Sequence, residues 1–292
     1  MSHLERWKKT FILSLLAPPL GYYAERMYQS LPPLTSTGCD QSLPSLSIIV
    51  PARNEAENLQ HLLPSLNALS YDGQLELIVV DDNSEDETAV IAQQHHVKVI
   101  KLTELPPGWM GKPHAMWHGA AAARGDWLLF TDADTIHAPN GPAGALRYAL
   151  HHQLDGLSLF LEQECRGIGD RLALMAAFAA LFTAWKQDSA YLNGQYILLR
   201  RDVYEESGGV TAVRNQSLED VALGHHLQQS GYNVQMMRGE QAATVRMYRN
   251  NKQMWQGMNR LGSQSLRFSG WRSLITIFFI TIAMNPLLVF LR

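Results

Sequence analysis

Two aspartates, Asp132 and Asp134, close the stretch "WLLFTDADT" at residues 127 to 135. Four apolar residues running into Thr131 read as a buried strand, and an ordinary strand end has no need of paired acids. Near such an end the period-two alternation points both side chains to one side. Two carboxylates so placed opposite a diphosphate make an oxygen-rich seat for Mg or Mn, ions that share their coordination with phosphates and water. Taken alone, the pair also fits a strand-end turn with two Asx-type caps. Asp220, in "NQSLEDVALGHHLQQSG", is the second acid of interest. A carboxylate at a helix start can take the proton of an attacking hydroxyl. Ser217 and Asp220 equally fit a capping box, with Gly231 closing the helix. Spacing leaves both meanings open.

The elements that must position these acids alternate between strand and helix. "LSIIVPARNE" predicts a short buried strand stopping at Pro51, then a helix with Leu59, Leu62, Leu63 and Leu66 at helical intervals. Asn54 and Glu57 have capping-box spacing at its start, and Pro64 predicts a kink. "LELIVVDDNS" predicts a second strand, Ser84 and Glu87 a second capping box, and "VKVI" a third strand. "AMWHGAAAARG" reads as an alanine-rich helix closed by Gly125, ahead of "WLLF". Continuous apolar runs in alternating strands imply a parallel sheet covered on both faces, with ligands bound beyond the carboxyl ends of the strands. The polar tails "PARNE", "DDNS" and "TDADT" all fall at such ends. Three acid-bearing tails on one edge predict a site. No G-x-G-x-x-G follows the first strand, and "PPGWMGKPH" has Pro106 and Pro113 where a phosphate loop needs glycine and Ser or Thr.

The 292 residues carry a formal net charge of -3, which excludes broad attraction to nucleic acid. Cys39 and Cys165 make neither a disulfide framework nor a metal cluster, and the paired histidines lack zinc-site spacing. Charge is uneven along the chain: after Glu240 there is no acid, while Arg246, Arg249, Lys252, Arg260, Arg267 and Arg272 accumulate. They precede "SLITIFFITIAMNPLLVFL", residues 273–291. This run reaches the roughly 18 to 20 residues that cross a bilayer and predicts a transmembrane helix. The basic residues before it predict that the preceding domain lies on the cytoplasmic face. Residues 1–27, basic and then apolar but broken at Pro18-Pro19, predict a membrane-associated anchor, and 28–45 a linker. Residues 46–245 are expected to form the domain that carries these acids, and 246–272 a basic interfacial segment beside anionic headgroups. "LALMAAFAALFTAW", residues 172–185, reads either as a buried helix or as a lipid-facing surface.

Taken together and in order, "VPARNEAENL", "LIVVDDNSEDET", "GWMGKPHAMWHGAAAARGDWLLFTDADT", "NGQYILLRRDVYEESGG" and "LEDVALG" resemble a family 2 glycosyltransferase over residues 45–265. The similarity is to membrane-bound members that glucosylate lipids: the chlorobactene, hydroxy-carotenoid and hopanoid-associated groups, with ceramide glucosyltransferase more distant. The resemblance implies a Rossmann-like α/β A-type fold with a mostly parallel sheet. It implies that Pro51, Asn54, Glu55 and Asp82 line a uridine pocket and that Lys112 lies near the nucleotide and diphosphate. It implies that Asp132 and Asp134 bind the donor and a divalent Mg or Mn, and that Asp220 is the general base. The implied reaction moves one sugar, with inversion, from a UDP-sugar to a lipophilic acceptor such as a carotenoid. "QGMNRL", residues 256–261, has Asn259 where processive members carry Arg, which counts against a polysaccharide synthase. A polyprenyl-phosphate or glycolipid sugar transferase is the alternative within this chemistry. A nucleotidyltransferase, and a non-catalytic nucleotide-sugar-binding protein anchored to membrane lipids, are the rivals outside it.

Overall fold

A computed structural model describes residues 22, 25–35, 42–95, 97–165, 167, 171, 174, 178, 191–216, 218–247 and 257. The chain divides into two compact units. One comprises residues 1–31, 164–188 and 246–292, of which the described part includes a helical stretch at 25–30. The other, residues 32–163 and 189–245, holds every acid discussed above.

This second unit is built on a seven-stranded sheet. Its strands are β1 (Leu46–Ala52), β2 (Leu75–Asp82), β3 (Lys98–Leu102), β4 (Trp127–Thr131), β6 (Gly156–Phe160), β8 (Tyr196–Arg200) and β9 (Val234–Arg238). A small sheet of β5 (Thr135–His137), β10 (Ala243–Val245) and β7 (Glu162–Gln163) sits apart from it in the hydrogen-bonding pattern. The large sheet runs β3-β2-β1-β4-β8-β6-β9. The first four strands are mutually parallel, as expected. β8 is antiparallel to both β4 and β6, so the sheet is mixed at its centre.

The helices are α1 (Ala56–Asn67), α2 (Thr88–Gln94), α3 (Gly111–Ala122), α4 (Gly141–His151), α5 (Arg201–Glu206) and α6 (Glu219–Gln229). A 3-10 turn spans Gly209–Val213. Alternate residues of β1 feed opposite cores. Leu46, Ile48 and Val50 pack with Leu59, Leu62, Leu63 and Leu66 of α1 and with Leu146 of α4. Ile49, one step out of phase, joins Met116 of α3, Val203 of α5 and Leu223 of α6 on the other face. Both faces are therefore covered, which explains strands that are apolar throughout rather than alternating.

Several local expectations are corrected. α1 and α2 start at Ala56 and Thr88, and their N-cap residues, Glu55 and Glu87, make no side-chain cap bond. The capping boxes fail because their oxygens serve the neighbouring loop instead. Asn54 N–H donates to Ser84 Oγ at 2.9 Å, and Glu85 N–H donates to Asn54 Oδ1 at 2.8 Å. Glu55 N–H donates to Thr88 Oγ1 at 2.8 Å, and Ala56 N–H to Asp86 Oδ2 at 3.1 Å. Asn54 and Asn83 adopt the left-handed region, both at φ 56°, which asparagine tolerates. Pro64, where a kink was expected, lies inside α1, which continues to Asn67. The alanine-rich helix begins at Gly111, earlier than its composition suggests, with Pro113 in the first turn where its missing N–H costs nothing. α6 ends as expected, with Gly231 at φ 87° just beyond it. Ser217, the other half of its supposed capping box, lies outside the described residues.

The expected transmembrane helix at 273–291, and nearly all of the interfacial segment, the 172–185 stretch and residues 1–27, also lie outside the described residues. Among the described residues no helix is long and apolar enough to cross a membrane. Within 28–45, Pro33 bridges Arg238, and Leu34 N–H donates to Arg238 O at 2.9 Å, so residues 33 and 34 lie beside the end of β9.

Candidate active site

The strand order places the acids. Between β1 and β4 the connection direction reverses, since β1 leads through α1 to β2 on one side while β4 joins from the other. Such a switch point opens a crevice at the carboxyl ends. The register shows it opening: β1 pairs with β2 as far as Ala52↔Asp81 but with β4 only to Ile49↔Phe130. Pro51 falls in the part of β1 that β4 does not pair with, where its missing N–H leaves no ladder bond unmade.

Asp82 ends β2 beside the crevice and is buried. Arg53, beyond β1, lies 3.9 Å from its Oδ2. Gly111 packs against it so closely that a methyl group there would stand 2.5 Å from Asp82 Oδ2. The first residue of α3 is therefore glycine because a carboxylate occupies the space of a side chain.

β4 stops at Thr131, so the period-two argument does not place Asp132 and Asp134; a turn does. Thr135 holds that turn, its hydroxyl donating to Asp132 O at 2.7 Å and its N–H reaching the same carbonyl at 3.3 Å. Beneath it, the Thr131, Thr135 and His137 side chains form a buried polar cluster, with Thr131 Oγ1 to His137 Nε2 at 3.1 Å. Burial holds the His137 ring neutral by lowering its pKa to about 4. Asp134 Oδ1 is buried and has no hydrogen-bond partner. Burial pushes the Asp134 carboxyl up to about 7, and the charges of Asp132 and Glu55 add to the effect while Lys112 opposes it. A buried carboxylate oxygen with no protein hydrogen bond, beside a second carboxylate, is chemically suited to a divalent cation.

Lys112 joins this turn to α6. Its Nζ lies 2.6 Å from Asp132 Oδ1 and 3.3 Å from Glu219 Oε1. Burial opposes the ammonium charge, but Asp132, Glu219 and Asp220 overcome it and raise the Lys112 pKa. The side chain is still 34% exposed, so the ammonium sits at the mouth of the crevice rather than in a dry core. Asp220 follows in the first turn of α6. Its Oδ2 accepts the Gly194 N–H and its Oδ1 the Val221 N–H, each at 2.8 Å. A methyl at Gly194 would stand 2.9 Å from Lys112 Nζ and 3.1 Å from Asp220 Oδ2. The loop before β8 also reaches the turn, since Gln195 O accepts the Asp132 N–H at 3.4 Å.

The structure thus brings Lys112, Asp132, Asp134 and Asp220 into one cluster, with Glu55 near enough for its charge to act on Asp134. Asn54 lies in the loop after β1 and Asp82 at the end of β2; the Asn54 amide oxygen accepts the Glu85 N–H. Sequence reasoning missed Arg53, Gly111, Gly194 and Glu219. Glu219 had a signal, an acid next to Asp220 at a helix start. Gly194 had only the turn-forming pair Asn193-Gly194, which says nothing of what approaches it. Among the described residues no group of three or more His, Cys, Asp or Glu could hold a metal by itself. The fit to a divalent cation therefore rests on Asp132 and Asp134, with remaining ligands drawn from phosphate and water.

Comparisons with known proteins bear on the family and the fold. Against curated proteins, the chain is 27% identical over 226 residues to 4,4'-diaponeurosporenoate glycosyltransferase of Staphylococcus aureus (strain MRSA252), covering 73% of this chain and 59% of that protein. It therefore spans about 59% of the length of that relative. A shorter match to the same-named protein of Staphylococcus haemolyticus is 45% identical over 92 residues, 31% of this chain and 24% of the other. Among solved structures, a mannosyltransferase from Pyrobaculum calidifontis in complex with GDP-Man and Mn2+ superposes with a TM-score of 0.59 at 19% identity. That match covers 96% of this chain and 85% of the other. S. aureus TarS gives a TM-score of 0.52 at 17% identity, covering 82% and 43%. These likenesses show the A-type glycosyltransferase fold. The family model described as glycosyl transferase family 2 matches residues 47–208, more than half of the sequence, and the chain belongs to that family.

Proposed function

We propose that the protein is an inverting glycosyltransferase that moves a single sugar from a UDP-sugar to a lipophilic acceptor, a carotenoid being the first to test. The observation that carries this reading is the cluster at the β1/β4 crevice, where Lys112 ties Asp132 to the Glu219-Asp220 start of α6. It puts a diphosphate-binding charge set and a candidate base in one place. Pro51, Asn54, Glu55 and Asp82 hold the uridine on the β1 and β2 side.

In the reaction the acceptor oxygen attacks the anomeric carbon as the bond from that carbon to the departing UDP breaks. For a hydroxyl acceptor the proton passes to Asp220, whose two oxygens are oriented by backbone N–H groups. Lys112 supplies positive charge to the leaving diphosphate. Mg or Mn held by Asp132 and Asp134 would neutralise further charge there. The relatives are named for a carboxylate-bearing carotenoid, so a carotenoid acid belongs in the assay beside hydroxy-carotenoids. The basic segment 246–272 and the apolar run 273–291 support attachment to membrane lipids with the catalytic domain on the cytoplasmic face.

Detergent-solubilised protein given UDP-glucose and these acceptors, with and without Mn or Mg, tests the reading. Metal-dependent UDP release coupled to acceptor glycosylation, abolished in Asp134→Ala, is the expected result. Transfer to polyprenyl phosphate alone would remove the carotenoid. Tight UDP binding without turnover in either protein would favour a nucleotide-sugar-binding protein.

A further inference from the structure

The proposed transfer uses Asp220 and Lys112 and leaves Glu219 without a task. Its side chain is only 12% exposed, and burial raises its carboxyl pKa against the opposing charge of Lys112. The N-cap residue of α6 is Leu218, so Glu219 does not hold the capping position. Its ion-pair partner is Lys112, at 3.3 Å.

Lysine carries its charge on a flexible stem with three N–H donors. With Asp132 as sole partner, the ammonium would close into a one-to-one pair and mask a carboxylate that the donor site needs. Glu219 pulls from the α6 side. Gly194 backs the arrangement, since even a methyl there would crowd both Lys112 Nζ and Asp220 Oδ2.

We propose that Glu219 is a positioning residue that acts through Lys112: it divides the ammonium between the Asp132 turn and α6, keeping one N–H for the donor's diphosphate. This rests on the transferase reading for its kinetic consequence, but its binding consequence does not require turnover. Lys112 already touches Asp132 at 2.6 Å, so loss of Glu219 leaves the ammonium without its counter-pull from α6, and affinity for a diphosphate falls while affinity for the nucleoside does not.

The test is a four-protein cycle of wild type, Glu219→Gln, Lys112→Met and the double variant. UDP and uridine binding are measured by calorimetry and donor turnover by UDP release. Glu219→Gln is expected to weaken UDP binding and lower kcat/KM roughly 10- to 100-fold, the scale of one charge-assisted hydrogen bond, with uridine binding unchanged. The double variant is expected to be no worse than Lys112→Met, because residues acting through one contact are not additive. Glu219→Asp should recover part of the loss. Multiplying losses in the double variant, or equal loss of uridine and UDP affinity in Glu219→Gln, would overturn the assignment. A wild type that shows the same UDP and uridine pattern across the cycle but transfers no sugar would refute the transferase reading and leave Glu219's role standing.

Discussion

Replacing Asp220 by asparagine separates proton removal from positioning, because the two acceptor classes differ in whether a proton must be removed. The carboxylate accepts one N–H on each oxygen, from Gly194 and from Val221, both at 2.8 Å. An amide of the same shape keeps one of these bonds and turns an NH2 toward the other donor. The positional cost is therefore about one hydrogen bond to a charged group, roughly 1 to 3 kcal/mol. A hydroxyl acceptor also loses its base, an effect of about 100- to 10,000-fold on turnover. A carotenoid carboxylate, with a pKa of about 4 to 5, is already ionised near neutral pH and loses only the positional part, on the order of tenfold. The assay is product formation by Asp220→Asn and wild type with a hydroxy-carotenoid and a carotenoid acid under the same UDP-sugar, alongside UDP affinity. A much larger loss with the alcohol, at preserved UDP affinity, is expected. Equal factors for the two acceptors would refute the reasoning and assign Asp220 a role other than taking a proton.

Gly111→Ala places a methyl 2.5 Å from Asp82 Oδ2 and must push that carboxylate aside, so uridine affinity should fall about tenfold in calorimetry. Unchanged affinity would remove Asp82 from the uridine pocket. His137 sets a pH limit on stability: burial lowers its pKa from 6.5 to about 4, so below 6.5 the unfolded chain binds a proton that the folded chain refuses. Its stabilising contribution is complete above that value and is lost as pH falls toward 4, by about 3 kcal/mol for a shift of this size. Urea unfolding at about pH 7.5 and about pH 4.5 should show a larger drop for wild type than for His137→Gln, and equal drops would assign the acid sensitivity elsewhere.

Much of this was legible in order along the chain. Strand and helix alternation, and three acid-bearing tails on one sheet edge, follow from apolar runs and turn residues that act within a few positions. The family resemblance then implied donor, metal and base roles for Asp132, Asp134 and Asp220. What stayed hidden depended on partners far away in sequence. "QYILLR" reads as a buried strand but carries no mark of direction, so β8 running against its neighbours had to be seen. The capping boxes at Asn54 and Ser84 have correct spacing, yet spacing cannot tell a local acceptor from one in the next loop. Gly111 and Gly194 look like turn glycines, and only the approach of Asp82 and Lys112 shows why a side chain cannot stand there.

The exchanged hydrogen bonds between the loops after β1 and β2 also bear on how this site can be re-engineered. Residues 54–56 draw their backbone acceptors largely from 84–88, and Glu85 draws one back from Asn54. The two loops behave as one interlocked cassette. A chimaera that imports a relative's first loop to change nucleotide preference, while keeping the second, would strand several amide donors at once. Grafting has to move both segments together.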